Sequence, residues 1–98
     1  MLGKEVSVVG HILTKERLAK LFEDNHMPIH MLDGLYLYLT YRLEPGGFMI
    51  SVLSNNLIEA AQHADHINKH NLFEWASFMY NYLPPACYGS LEKVKTWL

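Results

Sequence analysis

A single cysteine, Cys87, stands among ninety-eight residues. No intrachain disulfide can form, which suits a reducing compartment. No apolar run approaches the roughly 18–20 residues that span a bilayer, and the first residues lack the basic and apolar segments of a secretory signal. The expectation is a soluble, cytosolic protein with no membrane partner. Charge of one sign is lacking too. Eight basic and ten acidic side chains give a net charge of −2. Lys4, Lys15, Arg17, Lys20, Arg42, Lys69, Lys93 and Lys95 are scattered, and the two small basic groups are interleaved with Glu16, Glu23, Asp24 and Glu92. Duplex nucleic acid is gripped through clustered Lys and Arg on its phosphates, so general DNA or RNA binding is disfavoured.

What the chain has in plenty is apolar surface. Half of the residues are hydrophobic and 12% are aromatic, in a length that makes one domain at most and a marginal core. Such a surplus either packs large rings densely inside or meets a partner outside. Both are expected here, and with them a homo-oligomer.

The pattern reads as all-α: a compact bundle of four to five helices in residues 13–98, preceded by an irregular arm over residues 1–12. In the arm, Val6 and Val8 alternate with Glu5 and Ser7, as in a short strand, but no second strand-like run is evident. Thr14 is placed to cap a first helix with Leu18, Leu21 and Phe22 on one face. Pro28 suits the first position of a second helix, which runs through Leu43 and is apolar on nearly every side. Pro45-Gly46-Gly47 breaks the chain, with both glycines able to take positive φ. A third helix is expected over residues 48–65, with Phe48, Val52, Leu53, Leu57, Ala60 and Ala64 inward and a kink or a short break at Ser54-Asn55-Asn56. A fourth covers about 66–83, carrying Leu72, Phe73, Trp75, Ala76, Met79 and Leu83. Pro84-Pro85 stops it, and Ser90 caps a short last helix that Trp97 docks.

From Met27 to Trp97 the chain carries M-P-x-H-x-x-x-G, P-G-G-F, V-L-x-N-N-L, A-D-x-x-N, F-x-Y-N and P-x-x-C-Y-G-S, followed by a late Trp. In this joint pattern it resembles a family of short proteins carried by many phages and prophages. The shared positions include Gly34, Phe48, Asn55, Asp65, Asn68, Asn81, Cys87, Gly89 and Trp97. Tyr88 departs from the family, which has Trp after the Cys, yet an aromatic is kept. The residues before Leu13 have no counterpart in it. The resemblance implies a phage origin, a helical domain, residence in the host cell cytoplasm and an accessory or host-takeover role, inhibition of bacterial defence included. It implies no catalytic activity and no cofactor.

Several side-chain sets invite chemistry. His63, His66 and His70, at i, i+3 and i+7, would share one helix face and could serve a zinc or nickel ion with water as fourth ligand, although they also read as the polar side of an amphipathic helix. Asp65 and Asn68 suit a helix cap and a junction bond, or paired donors and acceptors for a ligand. Cys87 precedes the helix capped by Ser90, which would favour a thiolate, but a lone Cys between Pro85 and Gly89 equally suits a buried anchor. Asn55, Asn56 and Asn81 with Tyr80, Tyr82 and Tyr88 suit a recognition surface, rings giving area and amides giving direction, or else a core edge. The preferred reading is a non-enzymatic binder that sequesters or blocks a host protein or a small nucleotide signal held between subunits, with Arg42, Asn55, Asp65, Asn68 and Tyr88 as contacts. The alternatives are a small metal- or thiol-dependent enzyme using His63, His66, His70 or Cys87, and a helix-turn-helix regulator reading DNA with residues 48–59.

Overall fold

The computed structural model describes residues 7, 8 and 11–98; the remainder of the expected arm lies outside them. Ser7–Val8 (β1) pairs antiparallel with His11–Ile12 (β2), Ser7 opposite Ile12 and Val8 opposite His11. A second strand therefore does exist for the first, four residues on, where a two-residue segment was too short to register as a pattern. From Leu13 onward the described chain is helical.

Seven α-helices follow among the described residues, where four or five were expected. They are Lys15–Asp24 (α1), Leu32–Tyr41 (α2), Gly47–Leu53 (α3), Leu57–His63 (α4), His66–Lys69 (α5), Leu72–Tyr82 (α6) and Leu91–Trp97 (α7). The surplus comes from breaks within the two long helices read from the pattern. The kink or short break expected at Ser54-Asn55-Asn56 is a break. Asn55 is left-handed at φ 63°, the Asn56 N–H donates back to the Ser51 carbonyl, and Asn56 then turns its side chain forward to cap α4 through the Glu59 N–H at 3.1 Å. A second break, not foreseen, separates α5 from α6. There the Asn71 side-chain amide donates to the Ile67 carbonyl at 2.8 Å, taking up an acceptor at the end of α5 that a continuing helix would have bonded through its backbone.

Caps stand where side-chain chemistry put them. The oxygens of Thr14, Asp65 and Ser90 accept the N–H three residues on, from Arg17, Asn68 and Lys93, each satisfying a donor that a helix start leaves free. Pro28 is not the first residue of α2. It is extended, with ψ 117°, and precedes a 3-10 turn over Ile29–Met31 that leads into the helix. Nor do Gly46 and Gly47 use positive φ: Gly46 is extended ahead of α3, and Gly47 begins it. The left-handed positions are instead His26, Arg42 and Asn55, together with Gly89 at φ 118°. Gly89 is glycine for that reason, and its N–H donates to the Leu53 carbonyl at 2.7 Å, tying the loop before α7 to the end of α3.

One cluster fills the centre. Leu18 and Phe22 of α1, Leu35, Tyr38 and Leu39 of α2, Met49 and Leu53 of α3, Trp75 and Phe78 of α6, Cys87 and Val94 are all sealed from solvent. Phe22 meets Trp75 and Phe78 edge-to-face, with centroids 6.1 and 5.2 Å apart, and Phe48 meets Trp75 at 6.0 Å. Such edge contacts add about 0.5–1.5 kcal/mol each to the burial of the rings. A radius of gyration of 12.4 Å matches the roughly 13 Å of a close-packed domain this long. No helix among the described residues is long and apolar enough to cross a membrane.

Candidate binding surface

The five residues singled out for contacts do not gather at one place in the fold. Asp65 and Asn68 are together, at the start of α5. Asp65 accepts the Asn68 N–H through Oδ1 at 2.7 Å, and its Oδ2 lies 2.8 Å from Nε2 of His30, in the turn before α2. The Asn68 N–H first, then His30, hold the Asp65 carboxyl below the ordinary carboxylate range. Asn68 itself is 1% exposed. Its Oδ1 accepts the Trp75 indole N–H at 2.9 Å, the partner a buried indole requires. So Asp65 and Asn68 serve the junction of α5 and α6, and only the Asp65 carboxylate reaches solvent.

Arg42 closes α2. Its guanidinium carbon lies 3.6 Å from the centroid of the Trp97 ring, and Nη1 donates to the Trp97 carbonyl at 2.9 Å. The Trp97 indole N–H returns a bond to the Tyr38 carbonyl at 2.9 Å. Arg42, Trp97 and Tyr38 thus clasp the end of α7 to the end of α2, with Nη1 and the guanidinium face engaged and the buried Nε left without a partner among the described residues. Tyr88 is half-buried against the core, as is Tyr82.

Cys87 is fully buried. Burial pushes its thiol up to about 12, the reverse of the lowered value a nucleophile needs. Its carbonyl accepts the Tyr38 hydroxyl at 2.8 Å, and burial raises that hydroxyl too. Cys87 is an anchor, not a thiolate. The histidine triplet is divided by the break at Ala64-Asp65. His63 ends α4 and pairs with Glu59 at 3.3 Å, whereas His66 and His70 bracket α5 with ring centroids 5.2 Å apart. One helix face is therefore not shared by all three. Among the described residues no group of three His, Cys, Asp or Glu side chains is placed to hold a metal. The proposed DNA-reading helix fails on burial and length. It is broken after Leu53, and Phe48, Met49, Ser51, Val52 and Leu53 of α3 face the interior.

The surface that pattern reading missed lies on α4 and α6. Leu57, expected inward, is exposed, as are Ile58, Phe73 and Tyr80. A shallow open groove of about 80 Å³ runs between the two helices, with Asn55, Asn56, Leu57, Ala60, Ala76 and Met79 among its lining residues. Asn55 and Asn56 of the expected recognition set thus line the groove, and Tyr80 stands exposed on α6. The signal was present. In α6, Trp75, Phe78 and Met79 form one apolar stripe, while Phe73, Ala76, Ser77 and Tyr80 form a second, opposite to it. Periodicity alone does not say which stripe faces in. No protein-family model, curated protein or solved structure matches the chain.

Proposed function

We propose that the chain is a phage-encoded accessory protein that binds and sequesters, or inhibits, a component of the host, acting as a homo-oligomer in the host cytoplasm. One observation carries the reading: large apolar and aromatic side chains of α4 and α6, Leu57, Ile58, Phe73 and Tyr80, stand in water, and Leu57 lines a groove together with Asn55 and Asn56. An apolar surface of this kind on a small domain marks an interaction site. Rings with adjacent amides are the composition of recognition surfaces rather than of proton-transfer sites. The motif resemblance to short phage proteins supplies the biological setting. Sealing of Cys87 and division of the three histidines remove the main support for the enzymatic alternatives.

The target is a host protein surface or a small nucleotide signal held between subunits. Native mass spectrometry of the protein purified from infected or prophage-bearing cells separates these. An assembly carrying a few hundred daltons of extra mass identifies a small ligand, and one carrying a polypeptide identifies a protein target. A bare protein, with no added mass in repeated preparations from such cells, overturns the reading.

A further inference from the structure

We infer that the outward face of α6 is a two-fold interface with a second copy of this chain, the two α6 helices packing antiparallel about an axis between Ala76 and Ser77. The inference deepens the homo-oligomer of the proposed function and rests on that reading for its biological use.

The case begins with spacing. In α6, Phe73 precedes Ala76 by three positions and Tyr80 follows Ser77 by three. At 3.6 residues per turn these four side chains lie within about 100° of arc, opposite the buried Trp75 and Phe78. The order along the face is large, small, small, large. A two-fold contact must be self-complementary, residue i meeting j while j meets i. Antiparallel packing about the centre of this series meets that demand: Phe73 of each copy lies against Tyr80 of the other, and Ala76 against Ser77. The small central pair lets the two backbones approach toward the near end of the roughly 8–10 Å range for packed helices. The size order large, small, small, large reads the same in both directions, so a second copy meets it without mismatch.

Exposure and charge agree. Phe73 is 79% and Tyr80 78% exposed, although α6 is otherwise well packed. None of the four facing residues is charged, so two copies approach without burying an unpaired ion, and antiparallel helices set their dipoles head to tail. Leu57, 68% exposed, lines the groove that Ala76 also borders and so adjoins this face. The two rings with Leu57 supply on the order of 400 Å² per copy, the centre of a contact whose standard stable size is roughly 800 Å² per partner.

Size-exclusion chromatography with light scattering tests the interface directly. An even-numbered assembly is expected for the wild type. Phe73→Asp combined with Tyr80→Asp is expected to halve its mass while the helical circular dichroism stays unchanged, since both rings lie outside the core. Ser77→Cys places a thiol beside the axis. With oxidised glutathione as the two-electron acceptor it is expected to yield a covalent dimer on a non-reducing gel, whereas Thr96→Cys on α7 is not. Cys87, being sealed, does not compete. A monomeric wild type, an assembly indifferent to the two aspartates, or a Ser77→Cys protein that stays single each overturns the interface. An assembly dependent on α6 that carries no host-derived mass leaves the interface standing and overturns sequestration; a host-derived mass on an assembly insensitive to Phe73 and Tyr80 does the reverse.

Discussion

At the scale of single residues, Cys87 shows how position overrules type. The same thiol placed at an open helix start would be lowered and reactive; sealed beneath α7 and against Tyr38, it is raised from 9.0 to about 12. The folded state holds it protonated while the unfolded chain ionises it near 9.0. Stability from this group is therefore fully present below pH 9.0 and is lost as pH climbs from there toward about 12, with a slope of about 1.4 kcal/mol per pH unit. Urea unfolding near pH 8 and again at about pH 10.5 measures it. The wild type is expected to weaken more between the two than Cys87→Ala, whose difference reflects only the remaining groups. Equal losses in both proteins would exclude a buried, protonated thiol. Other residues were legible in advance. Thr14, Asp65 and Ser90 cap helices because a short side-chain oxygen meets the N–H three residues on, a local geometry independent of the fold. Asn68 was legible as a junction residue, but its acceptance of the Trp75 indole N–H was not, because that contact depends on how α5 and α6 turn against each other.

At the scale of elements, the helix ends decide the architecture. α1, α2 and α3 all terminate with a non-glycine residue in the left-handed region, His26, Arg42 and Asn55. For α1 the Met27 N–H reaches back to the Phe22 carbonyl and for α3 the Asn56 N–H to that of Ser51, the doubled-back bonding of a Schellman end. Glycine is the residue that usually marks such an end, so the left-handed turns at His26 and Arg42 were not legible by type, although the helix ends near Asn25 and Pro45 were, as was the polar run Ser54-Asn55-Asn56. Arg42 accepts φ 59° because its head is fastened to Trp97. Arg42→Ala removes the ring contact and the hydrogen bond while keeping the strained backbone, and is expected to cost about 1–2 kcal/mol in urea unfolding. Arg42→Gly loses the same contacts but relieves the left-handed strain, and is expected to be the more stable of the two by about 1 kcal/mol. A glycine variant weaker than the alanine one would mean that left-handed strain at this position does not govern the end of α2.

At the scale of the whole molecule, the helical class, a core drawn from α1, α2, α3 and α6, and docking of Trp97 followed from composition and period. The helix count and the outward stripe of α6 did not. A short chain with two apolar stripes on one helix presents two equivalent choices to any periodicity, and only the competition among all elements for the same interior selects Trp75 and Phe78 over Phe73 and Tyr80. The two tryptophans that resulted from this selection carry a further consequence. The Trp75 indole proton is held by Asn68 inside the cluster, and that of Trp97 by the Tyr38 carbonyl at the half-buried end of α7. In a proton spectrum taken after transfer to heavy water, these two resonances are two clocks. The Trp75 signal is expected to fade only as fast as the entire domain opens, and the Trp97 signal sooner, each time the last helix lifts away alone. Equal decay would mean that α7 never departs without the rest, and that the clasp at Arg42 belongs to the same cooperative unit as the core.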